Sequence, residues 1–488
     1  MRIRTLDDVM LPYRPSGLPD WKRQSKRMEE TVRFASGIDM LRDAAPLCPQ
    51  IFGGTEYDGF TVEKFIIQTL PGFYCTGNIY RPTDATKRYP VVLNPHGHWK
   101  MGRLDTDELS RVPQRCINQA LRGMVAISYD MVGCGDSRQL PHSYSDKEFD
   151  KWNYGRFSLQ LLNSVKVVDF ACTLPYADSE RIGCTGCSGG GTQTYFLALT
   201  DPRIKASAPI NMASCRMQGG CVCENAPFLR TEFNNVDYTA AFAPRPLFMT
   251  AADGDWTVSS ETLEFPAVES VYGLFGAQNR FEHFYRSAPH CYDKETREKA
   301  YDFFCRAFGI ENPFDGEIDY EIDTDSLRIG DIRSRIPSEG FIENDEQLFE
   351  IVKEILTAKT EKLSAEEKRD MCRRVFLTDE EDDLDIPYIV RETEQGRETV
   401  LGDCPAKADT CGAAYYHCYN KSADAVRVGA LYRLIRGSGS MTYRASGKTA
   451  FLLHVATALA GMGETVLTNP DGTDVNIPGM ELALLAMK

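Results

Sequence analysis

Between Gly59 and about Phe308, short apolar or β-branched runs alternate with longer stretches whose apolar residues recur at helical spacing. The runs Thr61–Thr69, Gly77–Tyr80, Pro90–Asn94, Met124–Tyr129, Arg181–Thr185, Ile204–Pro209, Pro246–Ala251 and Phe281–Tyr285 predict strands. Strands alternating with amphipathic helices assemble into a mostly parallel sheet flanked by helices, so the fold class is α/β. Ahead of this region, residues 1–50 are mixed and charged and predict an arm whose helix runs from Asp20, as N-cap, into the low forties. Beyond Gly309 the pattern changes. Asp315–Asp325 and Thr378–Asp385 read as acidic loops, Asn344–Thr357 and Ser364–Phe376 as helices, and Lys448–Gly461 and Glu464–Thr468 as a helix and a strand. Ser364 and Glu367 are spaced as a capping box. The expected division is an arm (1–50), a catalytic domain (51–310) and an accessory segment (311–488), the last a reduced second α/β unit or an oligomerisation element.

Composition bounds the partners more than the fold. With 42% hydrophobic and 26% charged residues over 488 positions, the chain can bury more than one core. A formal net charge of −15 weighs against nucleic acid and anionic membrane surfaces, which are bound through basic patches. The segment Met1–Met10 has no apolar core of a secretory signal, which predicts a cytoplasmic protein with its sixteen cysteines reduced.

The chemistry concentrates where strands end. Gly186-Cys187-Ser188-Gly189-Gly190 is a G-x-S-x-G sequence between a predicted strand and an apolar helical stretch. A serine on such a strand-to-helix turn is a nucleophile, because the turn lifts Oγ off the sheet and small neighbours prevent backbone clashes. The following N–H, that of Gly189, opens a helix and is a candidate oxyanion donor. This arrangement predicts an α/β-hydrolase fold, in which the acid and then the histidine follow the serine along the chain. Of seven histidines, only His283 and His290 follow Ser188 within the catalytic segment, and His283 falls inside a strand. His290, in a loop before a helix, is the base. The acid comes from Asp253-Gly254-Asp255, after the strand Pro246–Ala251; residue type does not separate the two aspartates. The His96-Gly97-His98 step after an early strand supplies the second oxyanion donor, the N–H of His98. No further ligand stands at helix spacing from His96 and His98, so neither a metal nor another cofactor is expected.

These pieces, with Asn94-Pro95-His96-Gly97-His98-Trp99, Asp130-Met131-Val132-Gly133-Cys134-Gly135-Asp136-Ser137, Gly219-Gly220-Cys221-Val222-Cys223-Glu224-Asn225-Ala226-Pro227, Gly254-Asp255-Trp256-Thr257 and Ala288-Pro289-His290, resemble the acetyl xylan esterase-like branch of the α/β-hydrolases. The resemblance runs from about Gly59 to Gly309. It implies cofactor-free hydrolysis of a carboxylic ester, often on an acylated carbohydrate, and favours Asp255 as the acid because it directly precedes a Trp-Thr pair.

Around this set, Trp99, Trp152 and Trp256 are candidate stacking walls for a small-molecule or oligosaccharide ester, and Gln139–Arg156 a candidate lid. Asp136 reads as a turn aspartate. Cys221-x-Cys223 has no second pair at zinc-finger spacing and reads as a pocket-lining loop, with Glu224 as a substrate contact. Two rivals stand beside the acetyl esterase. One keeps the triad for a glucuronoyl or methyl ester or a peptide, the peptide weakened by the lack of a propeller-like repeat. The other is an inactive scaffold, with the accessory segment carrying homo-oligomeric or other interactions.

Overall fold

A computed structural model describes residues 4–143, 147–217, 219–379, 384–404, 415–440, 442–461, 464–472 and 475–487. The chain forms two compact units: residues 6–145 with 155–351, and residues 1–5 with 146–154 and 352–488.

The larger unit is built on nine strands: β1 (Gln50–Tyr57), β2 (Phe60–Leu70), β3 (Phe73–Pro82), β4 (Tyr89–Pro95), β5 (Val125–Tyr129), β6 (Ala177–Cys187), β7 (Ile204–Ile210), β8 (Leu247–Gly254) and β9 (Phe281–Pro289). Their order across the sheet is β1-β2-β3-β5-β4-β6-β7-β8-β9. From β1 to β5 neighbours pair antiparallel, and from β5 to β9 all pair parallel. All eight predicted strands are present. β4, β5 and β7 are almost wholly buried, as a run of Val, Ile, Leu and Ala demands when helices cover both faces. The pattern of β1 explains why it escapes a periodicity argument: it is largely exposed, carries Gly53-Gly54 and shifts register at a bulge between Phe52 and Thr55.

The chain runs from β4 to β5 on one side of β4 and then crosses to β6 on the other. Sheets of this kind leave a crevice at such a reversal, beyond the carboxyl ends of the strands. The loop after β4 and the turn after β6 therefore meet there. The helices Arg156–Ala171 and Gly189–Thr200 pack on each other and on Leu18–Ser36, whose Trp21, Met28 and Val32 are buried. The helices Val112–Leu121 and Lys294–Phe308 form a second packed group. Phe303 and Phe304 of the latter lie against Ala206, Ala208 and Phe248, each burial contributing about 1.5–3 kcal/mol.

Two boundaries differ from expectation. The first helix starts at Leu18, after Gly17, rather than at an Asp20 cap. Asp20 sits inside the first turn, where Oδ2 accepts from the Ser16 N–H and the Tyr13 hydroxyl, both at 2.9 Å. Residues 311–351 belong with the larger unit, not with the accessory segment expected to start at 311. Arg297 grips Glu317 through two bonds of 2.7 and 2.8 Å, Asn118 accepts from the Ile318 N–H at 2.9 Å, and Arg156 pairs bidentately with Asp345 at 2.6 and 2.7 Å.

The smaller unit has its own sheet, β10 (Tyr388–Thr393), β11 (Gly396–Leu401), β12 (Thr442–Ser446) and β13 (Glu464–Pro470), in that order. β10 and β11 form a hairpin; β11, β12 and β13 are parallel. It is a reduced α/β unit. Its helix Ala365–Phe376 opens on the expected box, with the Glu367 N–H donating to Ser364 Oγ (3.2 Å) and the Ser364 N–H to Glu367 Oε2 (2.8 Å). The acidic run at 378–385 lies partly outside the described residues.

Candidate active site

Ser188 occupies the turn between β6 and the helix Gly189–Thr200 with φ 60° and ψ −128°. A side chain in that region costs about 1–3 kcal/mol and persists only where its surroundings enforce it. The glycines do the enforcing. A Cβ on Gly186 would lie 2.4 Å from the Pro95 carbonyl oxygen, and one on Gly190 2.3 Å from the same atom. Neither contact can relax, because the obstacle is backbone. The Ser188 N–H donates to the Ile210 carbonyl at 3.3 Å, tying the turn to β7.

Strand pairing brings the acid and the base together. Gly254 of β8 is in register with Pro289 of β9, so the next residues, Asp255 and His290, leave the sheet side by side. His290 Nδ1 lies 2.7 Å from Asp255 Oδ2. The other carboxylate oxygen of Asp255 accepts from the Thr257 N–H at 2.7 Å and from the Thr257 hydroxyl. Asp253 does something else: Oδ1 accepts from the Ala288 N–H at 3.1 Å, bracing β8 to β9. Geometry thus separates two aspartates that residue type cannot. Thr257 is the positioning residue the sequence argument missed, and its place in the Asp-Trp-Thr step was the available signal.

The imidazole of His290 reaches back over the elbow, its Nε2 3.9 Å from Cys187 Sγ. Among the described residues the Ser188 hydroxyl makes no hydrogen bond. Trp256 and Trp99 flank the ring, with centroids 4.3 and 6.1 Å from it. His283 stacks on Phe265 within β9, away from this chemistry.

The loop after β4 is held by His96. Its Nε2 accepts from the Met131 N–H at 3.0 Å, so Nδ1 carries the proton and donates to the Gly97 carbonyl at 2.7 Å. Burial drives its pKa down to about 3, leaving a neutral ring. Because a trans peptide points its carbonyl and N–H to opposite sides, this contact turns the His98 N–H away from His96. The Gly189 N–H, in the first turn of its helix, lacks an intrahelical acceptor. The two loops touch: a Cβ on Gly189 would lie 2.6 Å from His98 Cε1.

Other expectations are corrected here. Glu224 is buried, and its oxygens accept from the N–H groups of Gly220 (2.8 Å) and Cys221 (3.0 Å) and the Thr192 hydroxyl (3.3 Å). It braces a loop and offers no free oxygen face as a substrate contact. Trp152 belongs to the smaller unit, with the Lys353 ammonium 5.8 Å from its ring. The lid stretch 139–156 is likewise split: residues 144–146 lie outside the described residues and 146–154 fall in the smaller unit. Asp136 is, as expected, a structural turn residue, accepting from the Ile329 N–H at 2.9 Å and pairing with buried Arg103. The expectation of no metal looked only along the chain; folding gathers His98, His142, Cys221 and Cys223 from three separate loops.

Among the described residues no helix is long and apolar enough to cross a membrane. Residues 75–258 match the family model of the X-Pro dipeptidyl-peptidases (S15 family). No curated protein matches the chain. Among solved structures, methylesterase BT1017 is similar at 28% identity and TM-score 0.61, over 70% of this chain and 78% of that one. Looser likenesses include a glucuronoyl esterase from Solibacter usitatus (14% identity, TM-score 0.46, 63% and 99% covered). Another is an acetyl xylan esterase from Paenibacillus sp. R4 (16%, 0.41, 60% and 96%). With its sheet order and its serine elbow, and in its likeness to methylesterase BT1017, the chain has the α/β-hydrolase fold.

Proposed function

We propose that the protein is a serine carboxylic-ester hydrolase with Ser188 as nucleophile, His290 as base and Asp255 as the acid that orients it. The observation that carries this reading is the pairing of a strained serine elbow with a His290–Asp255 contact of 2.7 Å at the adjoining strand ends. Asp255 Oδ2 accepts the Nδ1 proton, which leaves Nε2 basic and aimed toward the elbow. Nε2 takes the Ser188 proton as Oγ attacks the ester carbonyl. The N–H groups of Gly189 and His98 stabilise the developing oxyanion. The protonated imidazole then delivers its proton to the leaving alcohol, and water, activated by the same ring, releases the acid from the acyl-enzyme. Trp99 and Trp256, beside His290, offer flat apolar faces on which a sugar ring stacks.

Two esters fit this site. The sequence motifs favour an acetylated carbohydrate, in which the sugar leaves and acetyl stays on the serine. The likeness to a methylesterase favours a methyl ester, in which methanol leaves and the acyl group stays on the serine. Ser188→Ala is expected to abolish hydrolysis of p-nitrophenyl acetate, and turnover equal to wild type would sink the assignment. A panel of acetylated sugars against methyl uronates, read by acetate or methanol release, decides between the esters. A fluorophosphonate probe that failed to label the wild type would instead favour an inactive scaffold.

A further inference from the structure

Four side chains that the triad does not use converge beside the elbow. His98 follows β4, His142 lies in the loop after β5, and Cys221 and Cys223 in the loop after β7. Their donor atoms all fall within 4.8 Å of one another. His98 Nε2 stands 3.2 Å from His142 Nε2 and 3.3 Å from Cys223 Sγ, and His142 Nε2 stands 3.2 Å from Cys221 Sγ. Nitrogen and sulfur ligands at about 2.0–2.1 and 2.3 Å from Zn²⁺ are separated by about 3.3–3.8 Å along the edges of a tetrahedron. The side chains are already close to that spacing.

Their orientation points the same way. His142 Nδ1 is 2.6 Å from the Val132 carbonyl, which can only accept, so Nδ1 carries a proton and Nε2 is the nitrogen turned toward the cluster. Outer contacts of this kind fix the tautomer of metal-binding histidines. The Cys221 turn is fixed in its turn by buried Glu224, through the two amide bonds that exclude this carboxylate from the pocket. Cys223 is buried, so one donor faces away from water.

We propose that His98, His142, Cys221 and Cys223 bind one Zn²⁺ in a closed tetrahedral site that clamps the three loops around the nucleophile. Four protein donors leave no open position for water or substrate, which marks a structural rather than a catalytic ion. Two thiolates and two neutral imidazoles select a borderline-soft cation over Mg²⁺ or Ca²⁺. Binding releases the two thiol protons, and the charges of Zn²⁺ and two thiolates cancel. His98 gives the clamp its link to chemistry, since its ring is a ligand and its own N–H a candidate oxyanion donor. The metal site itself does not depend on the esterase reading.

The test uses the full chain, reduced and without an affinity tag. Elemental analysis is expected to find about one zinc per chain, retained in Ser188→Ala and lost in both His142→Ala and Cys223→Ser. Retention in Ser188→Ala separates a failure of this site from a failure of the triad. Chelator-stripped wild type, given Co²⁺, is expected to show the visible bands of tetrahedral cobalt and the charge-transfer band of two thiolates, whether or not the variants fold. Folded, reduced wild type that takes up neither Zn²⁺ nor Co²⁺ overturns the proposal. So does zinc content unchanged by Cys223→Ser, or a cobalt spectrum without thiolate ligation.

Discussion

Asp253 and Asp255 are two residues apart, chemically identical, and differently used. One oxygen of Asp255 meets His290 and the other meets Thr257, whereas Asp253 holds the Ala288 amide. Asp255→Asn is therefore expected to lower kcat by about 10⁴-fold, as when an amide enforces the wrong histidine tautomer. Asp253→Asn should leave kcat within a few-fold and register instead as a small loss of thermal stability. Similar losses of kcat in both variants would contradict the assignment. Asp237 gives a prediction of another kind. It lies buried in the larger unit, accepting from the N–H groups of Tyr13 (2.7 Å) and Asn234 (3.0 Å), and burial raises its pKa to about 6. A carboxyl whose folded pKa exceeds the unfolded value stabilises the fold at low pH. That contribution, about 3 kcal/mol, is complete below about pH 4 and lost by about pH 6. Urea unfolding of wild type across that window should show this decline, and Asp237→Asn should remove it.

At the scale of elements, periodicity carried the reading where burial is uniform and failed where it is not. The parallel strands are continuous apolar runs bounded by Gly, Asp or His, and each predicted strand lies within one or a few residues of its position. The proposed serine, histidine and acid stand out in the sequence for the same reason: they sit at strand ends, and the order of strand ends is an order along the chain. Residue type does not separate Asp253 from Asp255; the sequence favours Asp255 only through the family resemblance, and the register of β8 against β9 supplies the physical reason. The segment 311–351 was misassigned because its attachment runs through scattered long-range contacts without a local pattern, among them those of Glu317, Ile318, Leu327 and Asp345. Arg156 and Asp345 make one of those contacts inside the protein, so Arg156→Ala strands a carboxylate. A loss of about 3–5 kcal/mol in unfolding free energy is expected, and a loss below about 1 kcal/mol would mean the pair is not held as described. The histidine and cysteine cluster was invisible to spacing because its members come from loops after β4, β5 and β7. Only the crossing of the chain around β4 makes them neighbours.

Across the whole larger unit, the proposed catalytic groups are spread over strands of very different security. Ser188 follows β6, in the middle of the sheet, but His290 follows β9, which ends it and pairs only with β8. Of the nine residues of β9 only Phe281 is buried, whereas the first six of β8 all are. Segments with few buried contacts open at lower free energy than the core behind them. The catalyst should therefore fail in two stages under mild denaturant. Hydrolysis should be lost at a urea concentration where tryptophan fluorescence and circular dichroism still report a folded chain, and amide exchange should be fastest along residues 281–289 among the parallel strands. Coincident midpoints for activity and unfolding would refute this. If the stages separate, the edge of the sheet acts as a fuse: stress disarms the nucleophile before it endangers the fold, and relief of the stress restores activity without refolding.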